Sequence, residues 1–257
     1  MKENTQLEGY VKTTIAGGVA EIEFYHPSHN ALPGHLLADL AGQISEAGRN
    51  DQAMVILLKS AGKRTFCAGA SFDELIAIED RLNGKKFFMG FAGVINAIRT
   101  CGKLVIGRVQ GKAVGGGVGV LSATDYCFAT QYASIRLSEL AVGIGPFVIG
   151  PAVERKVGLA AFSQLALSPN QWQSAQYAQE KGLYAKVLDS TEELDEHIHS
   201  VLKDLTSYNP KALNQLKKVF WAGTDNWGQL LEERATVSGE LVLSEFSKKT
   251  IAAFKNK

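Results

Sequence analysis

Two short apolar runs, each continuous rather than alternating, constrain the possible folds of this chain most. They are residues 54–58 (Met-Val-Ile-Leu-Leu) and residues 104–109 (Leu-Val-Ile-Gly-Arg-Val). Runs of this length and composition are typical of strands that are buried on both faces. Between them, apolar positions recur at helical spacing from Phe87 to Ile98. Because strand, helix and strand in this order imply a crossover connection, the sequence predicts an α/β fold with a largely parallel sheet.

The two ends of the chain differ in their patterns. Residues 11–24 predict an antiparallel pair of strands joined by a tight turn at Ala16-Gly17-Gly18. From about residue 151 onward, helical patterns dominate and strand signals disappear. Ser190 and Glu193 have the spacing of a capping box, which predicts the start of a helix. The second part of the chain should therefore be helical and pack on the sheet-containing first part.

Charge and composition argue against several classes of protein. With 257 residues, 46% hydrophobic and 21% charged, the chain is expected to fold as one continuous unit. Its 27 basic and 26 acidic side chains favour neither a nucleic-acid surface nor a polybasic membrane anchor. The first nine residues lack the apolar stretch of a secretion signal, and no run has the length of a membrane span, so we expect a cytoplasmic protein. The three cysteines are expected to be reduced thiols.

Two glycine-containing turns are the first candidates for chemistry. Residues 66–70 (Phe-Cys-Ala-Gly-Ala) and 114–119 (Val-Gly-Gly-Gly-Val-Gly) each follow a predicted strand and precede a predicted helix. Small residues allow a ligand to approach the main chain, and the first N–H groups of a helix have no partner within the helix. Such turns can bind an oxyanion or a phosphate. One turn of this kind could equally serve only to permit close packing, whereas two favour a site.

Six stretches occur in a fixed order along the chain. They are residues 26–32 (HPSHNAL), 66–72 (FCAGASF), 104–111 (LVIGRVQG), 114–117 (VGGG), 124–126 (TDY) and 138–139 (SE). Each is weak alone, but their order and separations together resemble the crotonase (enoyl-CoA hydratase/isomerase) family along nearly the whole chain.

This resemblance implies a fold and an assembly. The fold would be the α/β architecture of the crotonase-like (ClpP/crotonase) type, a core of repeated ββα units followed by a C-terminal helical trimerisation region. We expect residues 1–195 to form the core with the acyl-CoA site and residues 196–257 to form the helical oligomerisation region. A homotrimer or homohexamer would follow.

The resemblance also implies three catalytic positions. The thioester oxygen of an acyl-CoA would lie between the backbone N–H groups of Ala70 and Gly116, which would stabilise the negative charge of an enolate. Glu139 stands where the family keeps a carboxylate that acts on the substrate carbons near the thioester. No metal and no cofactor is expected, because CoA serves only as part of the substrate.

Gly119 is the main departure from the family pattern. Hydratases of the family carry there a second glutamate that, with the first, holds the water added to the double bond. A single base is enough to move a double bond from the β,γ to the α,β position, so Glu139 alone favours an enoyl-CoA isomerase. Hydration or dehydration is the alternative. Gly119→Glu is expected to raise water addition if the missing carboxylate is what limits it. A non-catalytic acyl-CoA-binding relative is a further alternative.

Other positions are expected to contact CoA or the acyl group. By resemblance, the contacts to substrate would come from Ala68, Gly69, Ser71, Phe72, Gly115 and Lys257. The acyl pocket could be walled by Phe72, Leu75, Phe87, Phe88 and Phe91, although an aromatic stripe at helical spacing is also typical of plain core. Asp73 stands where a lysine of the family often contacts the CoA phosphates. The resemblance is therefore weaker at the nucleotide part of the site.

Three other classes of site fit the sequence less well. Glycines 115, 117 and 119 begin like a dinucleotide-binding fingerprint, but its last glycine is replaced by Val120. The five histidines match no spacing typical of metal ligands. The Gly-x-Ser-x-Gly motif of serine hydrolases does not occur.

Overall fold

The computed structural model describes residues 9–255, which form a mixed α/β fold. The strands are β1 (Tyr10–Ala16), β2 (Val19–Tyr25), β3 (Val55–Ser60), β4 (Thr65–Cys67), β5 (Leu104–Val109), β6 (Lys112–Val114), β7 (Tyr126–Thr130), β8 (Ile135–Arg136) and β9 (Lys186–Leu188). The α-helices are α1 (Gly34–Arg49), α2 (Phe72–Ile76), α3 (Arg81–Thr100), α4 (Gly116–Ala123), α5 (Gly150–Leu167), α6 (Ala175–Glu180), α7 (Thr191–Ser207), α8 (Pro210–Phe220), α9 (Trp227–Leu241) and α10 (Glu245–Lys255). A 3₁₀ turn covers Glu139–Val142.

The strands form two sheets. The larger has the order β1-β2-β3-β5-β7-β9, in which the β1–β2 pair is antiparallel and every other pair is parallel. The smaller sheet, β4-β6-β8, is parallel. Two strands and a helix thus recur along the chain, with β3, β5 and β7 in the large sheet and β4, β6 and β8 in the small one. The predicted parallel sheet and ββα repeats are confirmed.

The sequence explains the elements of the large sheet. The β1–β2 hairpin reverses direction at Gly17 and Gly18. Their φ angles of 57° and 82° suit a two-residue turn between antiparallel strands. β3 and β5 are almost entirely buried because helices cover both faces. On one face α1 and α3 bury apolar stripes, of which that of α3 was predicted from its spacing. On the other, α7 packs Leu194, Ile198 and Leu202 onto β3, β5 and β7.

The second part of the chain is mostly helical, as predicted, but contains one strand. β9 pairs in parallel with β7 through residues 186–188, so the expectation that strands end near residue 151 is wrong. The Ser190 hydroxyl accepts a hydrogen bond from the Glu193 N–H (3.1 Å) and starts α7. The Glu193 carboxylate in turn accepts from the Asp189 N–H, so the cap reaches one residue further back than in a standard capping box. The predicted boundary at residue 195 lies inside α7, and the division into two units stays a prediction.

A buried acidic residue ties α8 to the sheet. The Asp125 carboxylate accepts hydrogen bonds from the Val105 N–H (2.7 Å), Lys217 Nζ (2.6 Å) and Trp221 Nε1 (2.8 Å). The Asp125 and Lys217 side chains, which form an ion pair, are each 2% exposed. Because removing either partner would leave a buried charge unpaired, this cluster fixes the position of α8. Nowhere in residues 9–255 does a helix have the length and hydropathy needed to cross a bilayer.

Candidate active site

The two glycine-containing turns of the sequence meet in space. A Cβ atom placed on Gly69 would lie 3.2 Å from the Val114 carbonyl oxygen and 3.9 Å from the Gly116 nitrogen. Gly69 also has φ +94°, a backbone conformation that L side chains rarely adopt. The approach of the two turns therefore depends on a glycine at this position. The close approach of the two turns brings the ends of β4 and β6 to the edge of one cavity.

Hydrogen bonds to Leu32 orient the main chain at Ala70. The Leu32 N–H donates to the Gly69 carbonyl (2.8 Å), and the Leu32 carbonyl accepts from the Ser71 N–H (3.3 Å). In this parallel bridge between Leu32 and Ala70, the N–H and C=O of Ala70 itself point away from Leu32. Among the described residues the Ala70 N–H has no hydrogen-bond acceptor, and Ala70 lines the cavity. The turn therefore presents a free donor.

Gly116 provides the second free donor. The Gly115 N–H donates to the Arg136 carbonyl (2.8 Å), and the Gly115 carbonyl accepts from the Val118 N–H (2.8 Å), so both groups of Gly115 are used. Gly116 is the first residue of α4, where an N–H has no partner within the helix. A Cβ on Gly116 would overlap the ring of Phe91, lying 2.7 Å from its Cδ1. Phe91 therefore packs directly against the residue that carries this donor.

Glu139 lies at the start of the 3₁₀ turn and lines the same cavity. A Cβ on Gly115 would lie 2.8 Å from the Glu139 Oε1 atom, so the carboxylate is in contact with the turn that carries the second donor. Its other oxygen, Oε2, is buried and accepts no hydrogen bond from any described residue. A buried oxygen without a donor is unusual in a folded protein and often marks a functional group.

Burial changes the acidity of Glu139. Desolvation raises its pKa to about 7, outweighing the opposing effects of main-chain groups at residues 138 and 139 and of the Arg136 cation. A carboxyl group with a pKa near neutrality can both take up and release a proton at physiological pH, as a general base requires.

The space beside Gly119 is filled by hydrocarbon. A Cβ on Gly119 would overlap Ile149, lying 2.6 Å from the Ile149 Cβ. Ile149 is 4% exposed, and it lines the cavity, whereas Gly119 does not. The side chain of Ile149 thus separates Gly119 from the cavity. A longer side chain at position 119 could enter the cavity only if Ile149 moved.

Most of the predicted site residues lie around this one cavity. Its non-protein space, including the opening to solvent, is about 790 Å³. The predicted residues in its wall are Ala68, Gly69, Ala70, Phe72, Leu75, Phe87, Phe88, Phe91, Gly115, Gly116 and Glu139. Ser71 is not in the wall. Its hydroxyl accepts a hydrogen bond from the Glu74 N–H (3.3 Å) and caps α2. Lys257 lies outside the described residues. The catalytic and binding roles of all these residues stay predictions.

Two parts of the wall were missed by sequence reasoning. One is the loop after Glu139, which contributes Val142 and residues 144–149. Its Gly143-Ile144-Gly145-Pro146 sequence is a recognisable loop signal that could have been used. The other is Ser238 on α9, for which no local signal exists. The C-terminal helix α10 supports the loop, since the Ser247 hydroxyl donates to the Gly143 carbonyl (3.2 Å).

Comparison with known proteins agrees with the fold. Residues 14–257 match a family described as enoyl-CoA hydratase/isomerase. A peroxisomal Delta(3,5)-Delta(2,4)-dienoyl-CoA isomerase of Arabidopsis thaliana is 27% identical, over 96% of this chain and 95% of that protein. A short-chain-enoyl-CoA hydratase of Clostridium acetobutylicum is also 27% identical, over 94% of this chain and 92% of that protein. The structure of an enoyl-CoA hydratase from Bacillus halodurans superposes with a TM-score of 0.88 at 22% identity, covering 95% of this chain and 99% of that one.

The fold and the paired donor turns define an enzyme of the crotonase class. The chain belongs to the enoyl-CoA hydratase/isomerase family, and it is an acyl-CoA enzyme. The cytoplasmic location and the trimeric or hexameric assembly stay predictions.

Proposed function

We propose that this protein is an enoyl-CoA isomerase that moves a double bond of an acyl-CoA from the β,γ to the α,β position. In this reaction, ionised Glu139 takes a proton from C2 of a 3-enoyl thioester. The electron pair moves through the carbonyl onto the thioester oxygen, giving a dienolate that Ala70 N–H and Gly116 N–H stabilise. Protonated Glu139 then returns the proton to C4, which leaves a 2-enoyl thioester and the original carboxylate.

The contact between Gly119 and Ile149 carries this choice of reaction. Water addition needs a group that holds and polarises the water, and an aliphatic side chain does neither. Among the described residues of the cavity wall, Glu139 is the one ionisable side chain. Proton transfer between two carbons needs no second acid or base, so the composition of the wall fits isomerisation better than hydration. One full-length relative is a dienoyl-CoA isomerase, which supports the class of reaction, although another is a hydratase.

A product assay distinguishes the two reactions. The purified protein is given 3-enoyl-CoA and 2-enoyl-CoA, and the product mass is measured over time. Isomerisation leaves the mass unchanged, whereas hydration adds one water. We expect conversion of 3-enoyl-CoA to 2-enoyl-CoA as the faster reaction. Formation of 3-hydroxyacyl-CoA at an equal or higher rate would contradict the proposal.

Variants at positions 119 and 149 test the reason for this preference. Gly119→Glu alone should not raise water addition, because its side chain overlaps Ile149, and the overpacking should destabilise the fold by about 1–3 kcal/mol. The sequence alone led to the opposite expectation. Combining Gly119→Glu with Ile149→Ala should relieve the overlap and allow hydration, while Ile149→Ala alone should not raise hydration. The measurements are thermal unfolding and the hydrate yield.

Hydration by Gly119→Glu alone would show that Ile149 does not block the second carboxylate position. It would remove the structural basis for ranking isomerisation first.

A further inference from the structure

Ser238 is a buried polar residue on an otherwise apolar part of the cavity wall. It is 1% exposed, and it lines the cavity. The other polar side chains of the described wall are Glu139, which begins the 3₁₀ turn, and Ser138, which directly precedes it. Ser238 therefore brings a hydroxyl to the wall from a different element than the acid/base group.

The position of Ser238 is set by the crossing of α3 and α9. A Cβ on Gly84 would lie 2.7 Å from the Gly239 carbonyl oxygen, so the two helices touch beside Ser238. Further along α3, Phe91 packs against Gly116, which carries one of the two donors. The distance from Gly84 to Phe91 along the helix axis is about 10 Å. The region around Ser238 and the donor at Gly116 thus lie against different turns of α3.

The charge of the wall limits what can bind there. None of the described wall residues has a cationic side chain, and the one ionisable group is an acid. A carboxylate or phosphate on the acyl chain would be buried without a counter-charge, which is strongly unfavourable. A neutral oxygen carries a much smaller desolvation penalty, and a serine hydroxyl can donate a hydrogen bond to it or accept one from it.

We propose that Ser238 is a specificity-determining residue that hydrogen-bonds to a neutral oxygen, a hydroxyl or a keto group, on the distal part of the acyl chain. This inference rests on the proposed function, because it places the thioester between Ala70 and Gly116. The phenylalanines of the wall would hold the hydrocarbon between the two ends. The substrates would be acyl-CoA thioesters of medium length that carry an uncharged oxygen substituent.

Binding of unreactive ligands tests the inference without requiring turnover. Saturated acyl-CoA thioesters of graded length are compared in pairs, with and without a hydroxyl on the distal carbon, and Kd is measured by calorimetry. The protein should bind the hydroxylated member about 2- to 10-fold more tightly at the matching chain length, as one net hydrogen bond allows. Ser238→Ala should abolish this preference while leaving the affinity for the plain chain nearly unchanged.

Ser122→Ala is the matched control. Its hydroxyl is buried without a partner among the described residues, but Ser122 lies on α4 and is not part of the cavity wall. This variant should keep the preference. Equal affinity of the parent for both members at every length, or an undiminished preference in Ser238→Ala, would overturn the inference. A protein that binds these ligands with the expected preference but turns over no enoyl-CoA would contradict the proposed function and leave this inference standing.

Discussion

Replacing Glu139 by glutamine is expected to lower the turnover of 3-enoyl-CoA by about 100- to 10,000-fold, the range typical of losing a general acid/base. The amide has nearly the same shape as the carboxyl group but cannot take up the C2 proton, so KM should change little. In the parent, turnover should rise with pH through about 7, because burial raises the pKa of Glu139 to about 7 and the base must be ionised. A pH profile of kcat for both proteins measures this.

The same substitution should stabilise the fold above neutral pH. The folded state favours the neutral carboxyl, so the free energy of unfolding of the parent falls as the pH rises from 4.5 to about 7. The full effect corresponds to at most about 3 kcal/mol. Glu139→Gln removes this penalty, so its advantage in thermal stability should be present at pH 8 and small at pH 4.5. A parent and variant with equal stability at both pH values would show that Glu139 is well solvated.

Gly116→Ala is expected to have the second large effect. The added methyl group would overlap the Phe91 ring, so either the ring or the main chain that carries the donor must move. We expect kcat to fall by about 100- to 1000-fold, as for the loss of one oxyanion donor. Overpacking should also destabilise the fold by about 1–3 kcal/mol. Steady-state kinetics and thermal unfolding measure the two effects.

Gly93→Ala serves as the matched control, because Gly93 lies within α3 and a Cβ there would have no neighbour within 4 Å. That variant should gain about 0.5–1 kcal/mol of stability and keep its activity. Adding Phe91→Leu to Gly116→Ala should restore part of the turnover if the overlap is the cause. Full activity of Gly116→Ala would mean that the Gly116 N–H is not needed.

Most of the fold could be predicted from the sequence because its signals are local. The continuous apolar runs of β3 and β5 and the aliphatic stripes of α1, α3 and α7 each show their burial within a few residues. The small sheet and β9 were not predicted from their own residues, because strands such as Lys186–Leu188 are too short to show a period. Their pairing depends on where the neighbouring strands lie, which sequence patterns do not show.

The candidate site was likewise only partly predictable from the sequence. Ala70, Gly116 and Glu139 stand in recognisable motifs, and the structure brings them to one cavity. The contact that blocks position 119 could not be predicted, because Ile149 is distant in sequence and meets Gly119 only through the packing of α4 against the start of α5. Ser238 also depends on a helix crossing formed by two glycines, Gly84 and Gly239. In the proposed function, such contacts decide which reaction the two donors and the acid support.

Exchange of substrate hydrogen with solvent tests enolate formation most directly. An acyl-CoA thioester that binds without further reaction is incubated with the protein in deuterium oxide, and deuterium at C2 is followed by mass spectrometry. We predict steady incorporation by the parent and a rate at least 100-fold lower for Glu139→Gln, in line with the loss of a general base. Equal incorporation by the two proteins, or none by the parent with any thioester that it binds, would contradict proton removal by Glu139 beside the two main-chain donors.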